Sequence, residues 1–180
     1  MRGSAVSVLI SHPAVCGVTL TGSQEAGEKT AALAGSQIKK TVVELGGSDS
    51  FVVLSDANLE LAADRCAMGR LLNAGQSCIA AKRIFVHESV CGKFVPMLKA
   101  SMQAFVPGDP MDPQTRMGPL ISGEARDTLH SLITQSIELG ARCEMGGYLH
   151  DGPGFPYPPT LLTGVTDGMP VFDEETFGPV

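Results

Sequence analysis

Short β-branched runs alternate with segments of helical period along most of the chain, and glycine marks most of the change-overs. That alternation is the strongest constraint on the fold, because parallel strands need a crossover between them and a helix is the usual one. Residues 16–21 read as a buried strand, Gly22 breaks it, and Ser23 is placed to cap a helix running to Gly35. Glu25 and Glu28 lie in its first turns, where the helix dipole favours acid. Strands follow at 41–45 and 51–54, with Gly46-Gly47 turning the chain between them. A helix over 58–72 is set by Leu59, Ala62, Ala63, Cys66, Ala67, Gly69 and Arg70, and it ends at Asn73-Ala74-Gly75. The small-residue run 76–81 leads into a strand at 83–86.

The next helix, 92–104, carries Phe94, Leu98 and Met102 on one face. Pro96 falls near its start, where a missing N–H is tolerated; further in it forces a kink. Residues 106–122, rich in proline, read as a loop, and 123–139 as an amphipathic helix stopped by Gly140. Short strands at 143–145 and 160–162 flank a Gly/Pro-rich stretch. The expectation is an α/β fold with a mainly parallel sheet. The chain opens on a strand and stops without a closing element, so it reads as part of something larger.

Charge and cysteine usage narrow the function. Thirteen Lys+Arg against nineteen Asp+Glu, net −6, gives no basic surface for nucleic acid. No apolar run is long enough for a membrane helix, and residues 1–13 lack both the apolar stretch and the cleavage site of a signal peptide. The five cysteines, at 16, 66, 78, 91 and 143, are odd in number and form no CxxC pair. They point to free thiols in a reducing compartment, the cytoplasm, and with four scattered histidines they suggest no metal site.

Four places could carry chemistry. Cys78 follows a helix among side chains too small to wall it off. It is either a small core residue, as Cys16 and Cys66 are expected to be, or a nucleophile. A nucleophilic thiol, with an ordinary pKa of about 8.5, needs a positive field or a base nearby. Glu44, at the end of an apolar run, is either a solvated strand end or a carboxylate facing the ligand crevice of an open α/β sheet. Partial burial there would suit it to general-base work. Gly22-Ser23, at a strand-to-helix junction, could present backbone N–H groups to a phosphate, although it is not a GxGxxG loop. Asp173-Glu174-Glu175 reads, on its own, as a solvated acidic run.

Taken in order, Thr21-Gly22-Ser23, then Glu44-Leu45-Gly46-Gly47, then Gly75-Gln76-Ser77-Cys78 and Glu174-Glu175-Thr176-Phe177-Gly178-Pro179 resemble the aldehyde dehydrogenase superfamily. The resemblance covers about residues 14–180. Glu44 to Asp49, with Ser48 where many members have Lys, and residues 73–83 are most similar to the bacterial members acting on succinate semialdehyde.

The resemblance implies oxidation of an aldehyde to the acid with NAD or NADP. Cys78 is then the nucleophile of a thiohemiacetal and thioester, and Glu44 the base activating the hydrolytic water. The Cys78 backbone N–H is an oxyanion donor. Gly22 and Ser23 lie at the cofactor diphosphate, Gly46 beside the nicotinamide amide, Glu175 on the nicotinamide ribose and Phe177 beside the nicotinamide ring. It also implies a small-molecule substrate, a homo-oligomer (dimer or tetramer), and neither nucleic-acid nor membrane partners. Residues 1–45 correspond to the end of a Rossmann-like nucleotide-binding domain, and 46–180 to a catalytic domain incomplete at its C-terminus. Family members are more than twice as long, which leaves a chain of this length weakly active or inactive by itself. Two other readings are a non-catalytic module keeping the fold and a coenzyme A-acylating relative; Glu44 favours hydrolysis over the latter.

Overall fold

In the computed structural model, which describes residues 3–150 and 153–180, the chain forms two compact units, Met1–Gly47 and Ser48–Val180. The division falls at Gly47 rather than at residue 45.

The first unit contains α1 (Gly3–Ser11), β1 (Gly17–Thr21), α2 (Gln24–Ser36) and β2 (Lys40–Glu44). β1 and β2 pair in parallel, with Gly17 opposite Lys40 and Thr21 opposite Glu44. Helix α2 is the crossover that this pairing requires. Ser23 is its N-cap, accepting from Ala26 N–H at 3.3 Å. Helix α2 lies close because Gly27 is buried; a Cβ there would stand 2.5 Å from the Leu45 side chain. Two expectations are corrected here. The opening residues form the helix α1, anchored by Lys39 donating to the carbonyls of Ile10 and His12, so the described chain does not start on a strand. Cys16 is exposed, ahead of β1, and β1 itself alternates exposed and half-buried residues. One face of β1 is therefore left uncovered within the described residues.

The second unit contains β3 (Ser50–Val53), α3 (Leu59–Leu71), a 3-10 turn (Leu72–Gly75), β4 (Arg83–Val86), α4 (Glu88–Gln103), α5 (Gly123–Glu138), β5 (Arg142–Met145), β6 (Leu161–Thr163) and α6 (Pro170–Asp173). β3 and β4 pair in parallel across α3. β5 and β6 pair antiparallel, because the stretch joining them contains no crossover helix among its described residues. The parallel character is thus carried by separate strand pairs, not one continuous sheet, among the described residues. The core is built by α3, α4 and α5. Ala63, Cys66, Ala67 and Leu71 of α3 meet Phe94, Leu98 and Met102 of α4, with Leu129 and Ile133 of α5. Helix α4 starts at Glu88, so Pro96 lies in its interior, on the exposed side where the ring is least disruptive to packing. The short α6, which no periodic signal marks in the sequence, is tied to α5 by Val171 N–H donating to Ser136 Oγ at 3.1 Å.

Ile38, after α2, adopts φ 54° while 96% exposed. A β-branched side chain in that left-handed region is strained and here packs on nothing that offsets it. Ile38→Asn is expected to stabilise the chain by about 1 kcal/mol, read as a shifted urea midpoint at constant slope; a lower midpoint would mean that the isoleucine makes a needed contact.

Candidate active site

Cys78 sits on a loop whose shape is dictated by three residues of the 3-10 turn that follows α3. Asn73, Ala74 and Gly75 all have positive φ, of 54°, 55° and 71°, so the chain reverses sharply at the end of the helix. Asparagine and glycine tolerate this; Ala74 is strained, as is common beside functional groups. Only glycine fits at position 75, since a Cβ would lie 2.1 Å from the Gly178 carbonyl oxygen. The Asn73 amide donates to the Gln76 carbonyl at 3.0 Å. Gln76 then fastens the loop elsewhere: its Oε1 accepts from Ile121 N–H at 2.9 Å, and its Nε2 donates to Asn73 O at 3.2 Å and Pro119 O at 3.4 Å. The chain turns in again at Ala80 and Ala81, both buried, and leaves Cys78 exposed at the crest.

Arg70 secures this loop from below. It lies on the buried face of α3, in step with Ala63, Cys66 and Ala67. Its guanidinium donates to the carbonyls of Val180 at 2.6 Å and Ala80 at 3.3 Å, and also to those of Thr176 and Gly178. Burial lowers its pKa to about 10, and the charge of Glu175 opposes that shift. One side chain therefore joins the Cys78 loop to the 176–180 segment.

That segment and the residue just before it carry the other two residues expected at this site, Phe177 and Glu175. Asp173 and Glu174 are exposed, as an acidic run should be, but Glu175 is half-buried. Its carboxylate pairs with Lys82 at 3.4 Å. Phe177 is exposed and, with Asn73, Gln76, Pro119, Leu120 and Ile121, lines a depression beside the loop. A separate cavity of about 320 Å³, bordered by Phe94, Leu98 and Leu161, does not include Cys78.

In the first unit, Gly22, Ser23 and Glu44 gather at the carboxyl ends of β1 and β2. Gly22 N–H donates to the Glu44 carbonyl at 3.0 Å. Glu44, Ser23, Gly22 and Gly46 are all exposed. This edge is where open α/β sheets take ligands. Glu25, in the first turn of α2, is engaged by Lys29, whose hydrogen bond and charge hold its carboxyl below the usual range.

Sequence motifs mark these residues but neither Arg70 nor Lys82 as functional. A cation in step with an apolar stripe is the available signal for Arg70. Nothing local marks Lys82. No group of His, Cys, Asp and Glu that could hold a metal occurs among the described residues. No described helix is long and apolar enough to cross a membrane.

The second unit thus presents an exposed thiol on a hydrogen-bonded loop that Arg70 ties to the stretch after a paired carboxylate, and the first a strand-edge carboxylate beside a helix N-terminus: the class is that of α/β proteins with a candidate thiol nucleophile. Residues 2–180 match the aldehyde dehydrogenase family model, and the chain belongs to that family. It is 47% identical over 180 residues to a succinate-semialdehyde dehydrogenase [NADP(+)] of Deinococcus radiodurans, covering all of this chain and 38% of that protein. The fold superposes on lactaldehyde dehydrogenase from Escherichia coli with a TM-score of 0.94 at 40% identity, covering 99% of this chain and 38% of that one. It superposes on betaine aldehyde dehydrogenase from Staphylococcus aureus, solved with NAD+, with a TM-score of 0.93 at 33% identity, covering 99% and 36%. The chain therefore spans about two fifths of the length of the curated relative it matches.

Two outcomes are expected. Gly75→Ala should cost about 2–4 kcal/mol in thermal unfolding, from left-handed backbone strain and collision with Gly178; a neutral result would mean that 176–178 does not rest on this loop. Burial pushes the Cys66 thiol from 9.0 up to about 11. At pH 8, alkylation mapped by mass spectrometry should therefore modify Cys78 at least roughly tenfold faster than Cys66. Stability contributed by the protonated Cys66 thiol is present below pH 9.0 and declines as pH rises toward 11.

Proposed function

We propose that this chain supplies the end of the NAD(P)-binding domain, in residues 1–45, and most of the catalytic domain, in residues 46–180, of an enzyme oxidising an aldehyde to its carboxylic acid. The observation that carries the reading is the exposed Cys78 on a loop locked to the segment bearing Glu175 and Phe177. The donor set fits a dinucleotide: Gly22 and Ser23 open a helix whose N-terminus suits a diphosphate, Glu175 offers acceptors for ribose hydroxyls, and Phe177 offers an exposed ring for the nicotinamide. Gly46 would lie beside the nicotinamide amide. A bound NAD+ or NADP+ would supply the hydride acceptor.

The protein's own residues perform the rest. The Cys78 thiolate adds to the aldehyde carbon, and its backbone N–H stabilises the oxyanion. With hydride given up by that carbon to the acceptor that a bound dinucleotide would supply, the adduct is a thioester and sulfur serves as the leaving group: Glu44 takes a proton from water, the resulting hydroxide attacks the thioester carbon, and the acid departs as the thiolate re-forms. Succinate semialdehyde is the substrate that the Deinococcus relative's name suggests. The full protein is expected to be a cytoplasmic homo-oligomer without nucleic-acid or membrane partners.

In the full-length protein carrying these residues, Cys78→Ala should abolish NAD(P)H production. Glu44→Gln should leave a stoichiometric burst while steady-state turnover falls by about 10²-fold or more. Undiminished turnover by Cys78→Ala, measured as NAD(P)H absorbance, would overturn the assignment.

A further inference from the structure

Lys82 is an unusual residue to find four positions after an exposed thiol, because its side chain is only 1% exposed. A buried ammonium is costly unless its charge and all of its N–H groups are met. Here Nζ donates to the Ala80 carbonyl at 3.2 Å and pairs with Glu175 Oε1 at 3.4 Å. Burial and the neighbouring Arg70 guanidinium both disfavour its charged form, while Glu175 and Asp49 favour it. Two cations, Arg70 and Lys82, thus converge on one carbonyl, that of Ala80, and on one carboxylate.

Stability does not account for this arrangement. An apolar side chain of similar volume at position 82 would avoid the desolvation of an ammonium, and exchanges of that kind in protein interiors are often neutral or stabilising. Nor does the 176–180 segment need Lys82 to stay in place, because Arg70 already holds the carbonyls of Thr176, Gly178 and Val180. What Lys82 adds is confined to Glu175, the residue preceding that clamped stretch, whose side chain is still partly open to solvent. A carboxylate fixed in orientation and accessible on one side is prepared to accept hydrogen bonds from hydroxyl groups.

We propose that Lys82 is a positioning residue for the dinucleotide: its buried ammonium, anchored on the Ala80 carbonyl, holds the Glu175 carboxylate in place for the ribose and ties it to the loop that carries Cys78. This rests on the reading of Glu175 given above. Lys82 does not touch the reacting atoms; it acts through Glu175, and it makes the geometry of the ribose contact dependent on that of the nucleophile loop.

The test compares Lys82→Met, Lys82→Gln, Lys82→Arg, Glu175→Gln and the double variant Lys82→Met/Glu175→Gln in the full-length protein carrying these residues. Equilibrium titration with NAD+ and NADP+ in the absence of aldehyde is measured beside steady-state kinetics. Lys82→Met and Lys82→Gln should each weaken dinucleotide binding by roughly tenfold, the scale of losing one charged hydrogen bond, and raise the dinucleotide KM more than they lower kcat. Lys82→Arg should restore most of the affinity. Glu175→Gln should weaken binding similarly, and the double variant should be little worse than either single change. Should Lys82→Met not fold, Lys82→Gln, which keeps a donor for Ala80, decides the question. If Glu175→Gln weakens binding while the Lys82 variants stay within about twofold of the parent, the inference about Lys82 is overturned and the reading of Glu175 stands. If Glu175→Gln is without effect as well, both are overturned.

Discussion

Arg70 is 3% exposed, on a helix that otherwise turns alanine, cysteine and leucine inward, and its guanidinium carries the second unit's functional end. A planar fork of five N–H donors can serve several backbone carbonyls at once. It uses that capacity on residues more than a hundred positions away, Thr176, Gly178 and Val180, and on Ala80 in the loop after Cys78. Those carbonyls belong to irregular backbone outside any strand ladder, and the guanidinium gives them the charged donor that a ladder does not. Gly75 completes the fit, since a Cβ there would collide with the Gly178 carbonyl, and Gly178 in turn leaves room for the Leu129 side chain of α5. Glu175 then opposes, through its charge, the desolvation of the arginine.

The two units apply one device at different scales. Each has a parallel strand pair spanned by a helix, β1–α2–β2 in the first and β3–α3–β4 in the second, and in each the residues of interest lie beyond a strand or helix end. Regular backbone satisfies its own polar groups and offers little to a ligand, whereas element ends leave N–H groups and side chains open. Ser23 and Glu44 in the first unit, and Cys78 in the second, occupy such ends.

Much of this architecture is legible in local sequence. The periodicity of residues 58–72 and 92–104 locates α3 and α4, and Phe94, Leu98 and Met102 are the buried face expected of α4. Ser23 and Ser122 lie at helix starts because a side-chain oxygen can satisfy a free N–H there. Sequence and structure part where a local pattern is weak or has more than one meaning. Cys16 resembles a strand residue but lies outside the ladder. Residues 3–11, which carry no clear helical period, form α1, and the four-residue α6 is too short for a periodic signal. The antiparallel β5–β6 pair follows from its connection, not from the composition of its strands.

By itself, the sequence determined the order of helices and strands from β1 to β6, the buried faces of the long helices, and the four short motifs that mark the aldehyde dehydrogenase family. These are local properties: caps, periods and turn residues act over a few positions and can be read in place. Tertiary structure alone decided that Arg70 faces inward, that Lys82 is buried against Glu175, and that the Cys78 loop rests on Gly178. A buried cation is tolerated only where distant carbonyls and carboxylates converge on it. That convergence is a property of the folded chain and not of any stretch of it.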